Sequence, residues 1–379
     1  MKKRLLIDIN SAISVYATGK VSGIGRTALE LLQAMAKVQD LPFEVMLYSQ
    51  NMRGISGKVL ALPFKSRHVY LRHTSFWNEM VSRCGIREAV TGYDLMHIPH
   101  NYEHVRYPSK CIVTLHDALF MKAPAPTNEQ THMQRIVPSF VQQCKHIITC
   151  SESSKNDILE TMSVPGEKIS VIYWGVQHDL FKPPTNKMEA QQLVAQKYGI
   201  VNPYFFTLSC NAKRKRADVL LHSFLDYCKH EPCPHDLVLI WSNPPESIVH
   251  EVSVSNARDK IHFINSVTNE ELALLYHGAK ALFFPSSYEG FGLPVVEAMA
   301  CGTPVVTCRN SSLKEIAGDA AIYLDEPVEE SIPRVIDGFV KGVWPLNEFI
   351  AKGLQRASEF TWEKCAEQTV EVYKRCLGI

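Results

Sequence analysis

Short apolar runs alternate along the chain with longer stretches whose apolar residues recur at three- and four-residue intervals. The runs are typical of buried strands and the longer stretches of helices that pack on a sheet. Strands are predicted at residues 5–9, 43–48, 95–98, 111–115 and 146–149, and again at 205–208, 236–241, 261–264, 281–284, 304–306 and 321–324. Helices are predicted at 27–38, 219–230, 269–277 and 295–300. This alternation predicts α/β structure with parallel sheets covered by helices on both faces.

The alternating pattern falls into two blocks. They are joined by residues 172–184, where Gly175, Pro183 and Pro184 are typical of a linker. We therefore predict two Rossmann-like, doubly wound domains, at 1–180 and 181–360. Ligands of such sheets bind beyond the carboxyl ends of the strands.

Composition narrows the function classes. The 379 residues include 40 Lys and Arg against 39 Asp and Glu, which disfavours a nucleic-acid binder. No apolar run is long enough for a membrane-spanning helix. The 11 scattered cysteines favour a reducing compartment, so a cytoplasmic location is expected. Residues 1–180 carry 20 basic and 15 acidic residues, which indicates either an anionic acceptor or membrane surface, or simple scatter.

The most informative segment is 285–306, PSSYEGFGLPVVEAMACGTPVV. Gly290 and Gly292 precede a helix that Pro294 opens, and backbone amides at such a helix start favour phosphate. Carboxylates bind hydroxyls instead, and Glu289 and Glu297 lie on either side of the glycines. The pattern indicates a ligand with sugar rings on both sides of a diphosphate. A glycine turn that caps an ordinary helix is the alternative.

This segment resembles the signature of the retaining glycosyltransferases of family 4, which have the GT-B fold. The resemblance covers most of the chain, through SGIGR at 22–26, TLHD at 114–117, CSESSKNDI at 150–158, KRK at 213–215, and NSSLKEIAGDAAIYLDEP at 310–327. It implies two Rossmann-like domains facing across a cleft. The first would bind the acceptor and the second the nucleotide sugar, with a last helix at 361–379 packing back on the first.

The resemblance also implies roles for individual residues. Glu289 would contact hydroxyls of the donor sugar, Glu297 the ribose hydroxyls, and Lys215 the diphosphate. The backbone of Gly290, Phe291, Gly292 and Leu293 would hold the diphosphate and sugar, Ser209 would donate to phosphate, and Arg214 or Arg216 would supply a second cation. The family mechanism implies a front-face reaction in which the leaving phosphate oxygen takes up the proton, with Glu289 as a covalent nucleophile the less favoured variant.

Two sites are expected in the first domain. His116 follows a strand, and the resemblance implies a catalytic role near the donor sugar and acceptor. A structural, hydrogen-bonded histidine is the alternative. Asp117 would orient that ring or cap the next turn. Gly23, Gly25 and Ala28 fit a dinucleotide fingerprint but lie too far from the first strand for an NAD site. The backbone amides of Gly25 and Arg26 are instead expected near the donor diphosphate.

Three further groups of residues have a composition that can bind ligands. Cys228, His230, Cys233 and His235 are too closely spaced for the usual zinc geometry, and neither a metal nor a cofactor is expected. His97, His100 and His104 either line the acceptor side of the cleft or are polar loop residues. Residues 65–87 mix basic and aromatic side chains at helical spacing, which indicates either docking on the inner face of a membrane or an ordinary amphipathic surface.

Taken together, the sequence predicts a retaining, metal-independent glycosyltransferase. It would move a sugar from a UDP- or GDP-sugar to a hydroxyl of a glycan or lipid-linked acceptor. A sugar-nucleotide epimerase, a phosphorylase and a non-catalytic sugar-nucleotide-binding protein of the same fold are the alternatives.

Overall fold

The computed structural model describes residues 2–18, 22–123 and 125–379. The chain forms two compact units, one of Met1–Gly175 with Trp362–Ile379 and the other of Val176–Thr361. The chain therefore leaves the first unit after Gly175, slightly before the predicted boundary at residue 180, and returns to it at Trp362.

The first unit contains a sheet of seven parallel strands. They are β1 (Arg4–Asp8), β2 (Glu44–Gln50), β3 (Lys65–Val69), β4 (Leu95–Ile98), β5 (Cys111–Thr114), β6 (His146–Thr149) and β7 (Ile169–Val171). Their order is β3-β2-β1-β4-β5-β6-β7. The helices are α1 (Ser14–Thr18), α2 (Gly23–Met35), α3 (Ser75–Arg83), α4 (Ile86–Thr91), α5 (Leu119–Lys122), α6 (Asn128–Gln143), α7 (Glu152–Thr161) and, after the second unit, α16 (Trp362–Leu377).

The second unit contains six parallel strands in the order β10-β9-β8-β11-β12-β13. They are β8 (Tyr204–Ser209), β9 (Asp236–Trp241), β10 (Ile261–Ile264), β11 (Ala281–Phe284), β12 (Val305–Cys308) and β13 (Ala321–Leu324). The helices are α8 (Lys187–Tyr198), α9 (Ala217–His230), α10 (Glu246–Val254), α11 (Asn269–Gly278), α12 (Leu293–Ala300), α13 (Ser311–Ala317), α14 (Val328–Val340) and α15 (Leu346–Ala357). The predicted α/β class with two Rossmann-like sheets is confirmed.

Two strands were not predicted, β3 and β7, and both lie at an edge of the first sheet. β3 reads KSRHV and none of its residues is fully buried, because an edge strand can leave its polar side chains in water. β7 has three residues, too few for a periodic signal. Apolar runs therefore identified every strand of the second sheet and the central strands of the first, and missed the two edges of the first sheet.

The segment 65–87 is not one helical face. It divides into β3, α3 and the start of α4, and Arg87, expected on a solvated basic surface, is only 1% exposed. Among the residues that the structure describes, no helix is long and apolar enough to cross a membrane.

Helix α16 completes the core of the first unit. Trp362, Ala366 and Tyr373 belong to the same buried cluster as Ala28 and Leu32 of α2. The last helix thus packs on α2, the second helix of the chain.

Candidate functional site

The main polar cluster of the second unit is centred on Glu289, in the loop between β11 and α12. This carboxylate is 11% exposed. One of its oxygens, Oε1, accepts a hydrogen bond from Lys215 Nζ at 2.6 Å and another from Arg214 Nη1 at 2.8 Å. Two cations converge on one carboxylate, so the cluster carries a net positive charge that suits an anionic ligand.

The turn that carries both cations is fixed to the loop by its backbone. The Arg214 carbonyl accepts from the Ser287 amide at 2.7 Å and from Ser286 Oγ at 3.1 Å. In return, Arg214 Nη1 donates to the Tyr288 carbonyl at 2.9 Å. Lys215 Nζ also lies 4.6 Å from the centre of the Phe284 ring. The cations are therefore held in place before any ligand binds.

The start of α13 shapes the same loop from the other side. Ser312 Oγ lies within hydrogen-bond distance of the carbonyl oxygens of Glu289 and Phe291, at 2.8 and 2.9 Å, and can donate its one hydrogen to either. The Glu289 amide donates to Ser311 Oγ at 3.0 Å. The sequence singled out neither serine, although both lie in the quoted 310–327 segment. Side chains from a neighbouring helix thus fix the loop conformation.

Gly292 is required where the loop enters α12. Its φ is +103°, a conformation that L side chains rarely adopt, and an added Cβ would lie 3.0 Å from Leu313. The Phe291 ring is buried and packs edge-on against Phe360, at 5.6 Å between ring centres. Because that ring is buried, what residues 290–293 offer a ligand is mainly backbone, as the resemblance implies.

Glu297 lies on α12 and is 1% exposed. Its Oε2 accepts a hydrogen bond from the Tyr276 hydroxyl of α11 at 3.2 Å. Tyr276, which sequence reasoning did not identify, therefore orients the carboxylate expected to bind ribose.

Of the remaining predicted residues of this unit, Arg214 contacts Glu289, whereas Ser209 and Arg216 have other partners. Ser209 ends β8, half-buried, and its hydroxyl donates to the adjacent Cys210 carbonyl at 3.3 Å. Arg216 has a φ of +49° and pairs with Glu326 at 2.8 Å. The cation that lies beside Lys215 on Glu289 is therefore Arg214, and a role of either arginine at a diphosphate stays a prediction.

In the first unit, His116 follows β5 and is only 6% exposed. Its Nε2 lies 3.2 Å from the Pro99 carbonyl, and its ring centre lies 5.0 Å from that of Trp174. Burial lowers the pKa of His116 to about 4, so the ring is neutral at physiological pH. A neutral ring that donates from Nε2 has an acceptor at Nδ1, and Nδ1 has no partner among the described residues. Asp117 accepts from the Leu119 amide at 2.9 Å and thus caps the next turn.

A cavity of about 20 Å³ lies beside His116 in the same unit. Trp174 and Trp362 contribute to its wall, together with the hydroxyl residues Thr27 and Thr114. It has room for one water molecule.

The backbone amides of Gly25 and Arg26 make hydrogen bonds to Ser22 at the N-terminus of α2. The Gly25 amide donates to Ser22 Oγ at 3.0 Å and the Arg26 amide to the Ser22 carbonyl at 2.9 Å. An added Cβ on Gly25 would lie 2.4 Å from the Ser11 carbonyl oxygen. This glycine is therefore explained by close packing of the backbone, and these amides reach a diphosphate only if the cap rearranges.

His97 is buried in the core of the first unit. Its Nε2 lies 2.8 Å from Thr114 Oγ1 and its Nδ1 2.7 Å from the hydroxyl of Tyr373 on α16. Burial lowers the pKa of His97 to about 3, so it is a neutral core residue. The strand turns the side chain of His97 towards α16, so both ring nitrogens have partners inside the first unit, and an acceptor role for this histidine stays a prediction.

Family models match both units of the chain. The model of "Glycosyltransferase Family 4" matches residues 21–180, and that of "Glycosyl transferases group 1" matches residues 195–376.

Characterised relatives match part of the chain. It is 27% identical over 284 residues to the O-antigen chain mannosyltransferase B of Escherichia coli, covering 73% of this chain and 72% of the relative. It is 30% identical over 244 residues to the MMP alpha-(1->4)-mannosyltransferase of Mycolicibacterium hassiacum, covering 62% of this chain and 56% of the relative.

Solved structures share the fold over the whole chain. A sucrose-phosphate synthase from Thermosynechococcus elongatus superposes with a TM-score of 0.78 at 16% identity, covering 100% of both chains. Anabaena HepE, in complex with UDP and glucose, superposes with a TM-score of 0.74 at 15% identity, covering 99% of this chain and 100% of that one.

Proposed function

Because the chain belongs to the glycosyl transferases group 1, with the GT-B fold, we propose that it transfers a hexose from a nucleoside diphosphate sugar to a hydroxyl of a glycan or lipid-linked acceptor. The observation that carries the proposal is the convergence of Lys215 and Arg214 on Glu289 beside the glycine loop. The named mannosyltransferase relatives make mannose the first donor sugar to test.

The chemistry assigned to the cluster is electrostatic. As the bond from the anomeric carbon to the diphosphate breaks, negative charge grows on the departing phosphate oxygen. Lys215, Arg214 and the amides of residues 290–293 would stabilise that charge, and no metal is required for it. Glu289 would meanwhile accept hydrogen bonds from hydroxyls of the donor sugar, and Glu297 from those of the ribose.

We further propose that the anomeric configuration is retained. The phosphate oxygen that leaves would take up the proton of the attacking hydroxyl on the same face of the sugar. His116, neutral and with an acceptor at Nδ1, would accept a hydrogen bond from a sugar hydroxyl once the ligand is bound.

Thermal shift against UDP, GDP, ADP, CMP and NAD tests the donor site. A ligand at a hundredfold excess over its dissociation constant stabilises the folded state by about 2.7 kcal/mol. We expect a shift with one nucleoside diphosphate, reduced in the Lys215→Ala and Glu297→Ala variants. A shift with NAD alone would overturn the proposal.

Product analysis then separates the reaction classes. Incubation with GDP-mannose or UDP-glucose and a simple glycoside, with and without EDTA, should give a glycoside with the anomeric configuration of the donor, assigned from the one-bond C1–H1 coupling. An epimerised donor, a free sugar phosphate or an inverted product would refute the corresponding part of the proposal. Dependence on a divalent ion would refute metal independence.

We also propose that α3 meets an anionic membrane surface. Phe76 and Met80 of α3 are 64% and 39% exposed, and Tyr70 before the helix is 66% exposed. Arg72 and Arg83 are exposed on the same stretch. Arg83 pairs with Glu79 of the same helix, so, among the described residues of this stretch, Arg72 supplies the uncompensated positive charge beside the apolar side chains.

Sedimentation with vesicles tests this surface. Binding to phosphatidylglycerol-containing vesicles should exceed binding to phosphatidylcholine vesicles and should fall in a Phe76→Ser variant. Val254→Ser, at an equally exposed apolar position in the second unit, is the control. Equal loss in both variants, or equal binding to both vesicles, would argue against a membrane role for α3.

A further inference from the structure

A second polar cluster lies in the first unit and is not explained by the donor site. At its centre is Glu103, which follows β4 and is 5% exposed. Glu103 Oε2 accepts from His73 Nε2 at 3.1 Å and from Asn78 Nδ2 at 3.3 Å, and Oε1 accepts from the His104 amide at 2.6 Å. These partners hold the carboxylate in one orientation.

A buried guanidinium keeps this carboxylate charged. Arg87 is 1% exposed and donates to the His104 carbonyl at 2.9 Å. The hydrogen bond from His73 and the charge of Arg87 outweigh burial and lower the pKa of Glu103 to about 2. Asp8, fully buried at the end of β1, adds a second negative charge near Arg87.

Two imidazoles connect the buried carboxylate with the surface. The His73 side chain is 36% exposed, and His100 Nε2 lies 3.9 Å from Glu103 Oε2 with its side chain 18% exposed. A carboxylate that accepts from Nε2 fixes the ring, which leaves Nδ1 of His73 for a ligand. No residue in the described part of the chain hydrogen-bonds to that nitrogen.

The cluster lies at the ligand-binding edge of the sheet. Asp8 ends β1, and the segment 99–104 begins directly after β4, so both mark carboxyl ends of parallel strands. The same segment holds His116, through the Pro99 carbonyl and the Asn101 side chain, which accepts from the His116 amide at 3.4 Å. One segment therefore connects the Glu103 cluster with His116.

We propose that His73 binds a hydroxyl of the acceptor sugar and that Glu103 is the positioning residue that orients it. The inference rests on the proposed transferase function. A hydroxyl fits better than a phosphate, because two carboxylates face one guanidinium and the cluster has no excess of positive charge to hold an anion. The hydrogen bond to Glu103 outweighs burial and raises the pKa of His73. A hydroxyl both donates and accepts, so it can hydrogen-bond to Nδ1 whether the imidazole is neutral or protonated.

The assignment is tested by measuring sugar transfer to an acceptor and hydrolysis of the donor by water as separate reactions. The wild type and His73→Asn are assayed with GDP-mannose or UDP-glucose, whichever is consumed, and with methyl α-mannoside and N-acetylglucosamine as acceptors. Hydrolysis of the donor without acceptor is measured in parallel. We expect the acceptor KM to rise about tenfold in the variant, as for loss of one good hydrogen bond, with donor KM and hydrolysis unchanged.

Glu103→Gln tests the positioning role, and the double variant tests whether both residues act together. We expect Glu103→Gln to raise the acceptor KM as well, and the double variant to be no worse than His73→Asn. His222→Asn is the matched control, since His222 pairs with Glu251 at 2.7 Å on the surface of the second unit.

The outcomes are distinct. An unchanged acceptor KM in His73→Asn, or an equal fall in transfer and hydrolysis, would overturn the inference and indicate a structural ion pair. A wild-type protein that consumes no nucleotide sugar would instead overturn the proposed function, and with it this inference.

Discussion

Glu289→Gln should lower the free energy of unfolding of the ligand-free protein and yet strengthen its binding of a nucleoside diphosphate. In the free protein the carboxylate pairs with Lys215 and Arg214, whose side chains are 16% and 34% exposed, and offsets one of their two charges. A diphosphate would need the same two cations. The carboxylate and the diphosphate therefore compete, and replacing the carboxylate by an amide removes the competitor while keeping the shape.

The magnitudes follow from the geometry. Hydrogen bonds to charged groups contribute about 1.5–3 kcal/mol each, and partial exposure reduces that value. We expect the free energy of unfolding to fall by about 2 kcal/mol. A unit charge 4 Å from another contributes up to about 4 kcal/mol near a protein surface, and screening leaves less. A gain in diphosphate affinity of about tenfold, or ~1.4 kcal/mol, is therefore expected.

Urea denaturation measures the first effect, and calorimetric titration with UDP and GDP at low ionic strength measures the second. Lys215→Ala is the control, because it removes a cation and should weaken binding. If Glu289→Gln also weakens binding of the diphosphate without its sugar, the two groups do not compete and the reasoning is wrong. Binding of the intact nucleotide sugar should gain less, because the sugar would lose its carboxylate.

Three other perturbations act on the first unit. Gly25→Ala places a Cβ 2.4 Å from a backbone oxygen and should cost about 1–3 kcal/mol in thermal or urea unfolding, whereas Gly23→Ala, with no atom within 4 Å of the added carbon, should be neutral; equal effects would contradict the packing argument. Burial lowers the pKa values of His97 and His116 to about 3 and 4, so the unfolded chain binds protons at a higher pH than the folded protein, and stability is full above about pH 6.5 and falls with the pH. Each histidine should lower the free energy of unfolding by about 2 kcal/mol between about pH 6.5 and 5. A flat pH profile in urea unfolding would contradict this. Tyr373→Phe removes the hydroxyl next to His97 and should lower the free energy of unfolding by about 1–2 kcal/mol in urea denaturation; an unchanged stability would show that the hydrogen bond to His97 does not contribute.

The sequence predicted what depends on local pattern. Buried central strands of both sheets appear as apolar runs, and the glycine loop is identified by residues that adjoin one another. Gly292 illustrates this, because its φ of +103° depends on the loop in which it lies. Edge strand β3 was missed because its polar residues lack that pattern.

Side-chain contacts between residues far apart in the sequence could not be predicted from local patterns. Glu289 meets Lys215 across 74 residues, and His97 meets Tyr373 across 276. Glu103 was missed although it follows a predicted strand, because its partners, among them His73 and Asn78, come from another part of the chain. Ligands of parallel sheets bind beyond the carboxyl ends of the strands. Applied to acidic residues as well as histidines, this rule would have identified Glu103.

The chain leaves the first unit after Gly175 and returns to it at Trp362, which has a consequence for synthesis on the ribosome. The core of the first unit needs Trp362, Ala366 and Tyr373 against Ala28 and Leu32. At roughly 5–20 residues per second, Val176–Thr361 takes on the order of 10–40 s to emerge before that helix is available. During this interval the nascent first half exposes an apolar face that α16 later covers. Chaperone dependence and degradation of the nascent chain should therefore concentrate on that face, and a chain cut at Thr361 should keep its second unit folded while its first half aggregates.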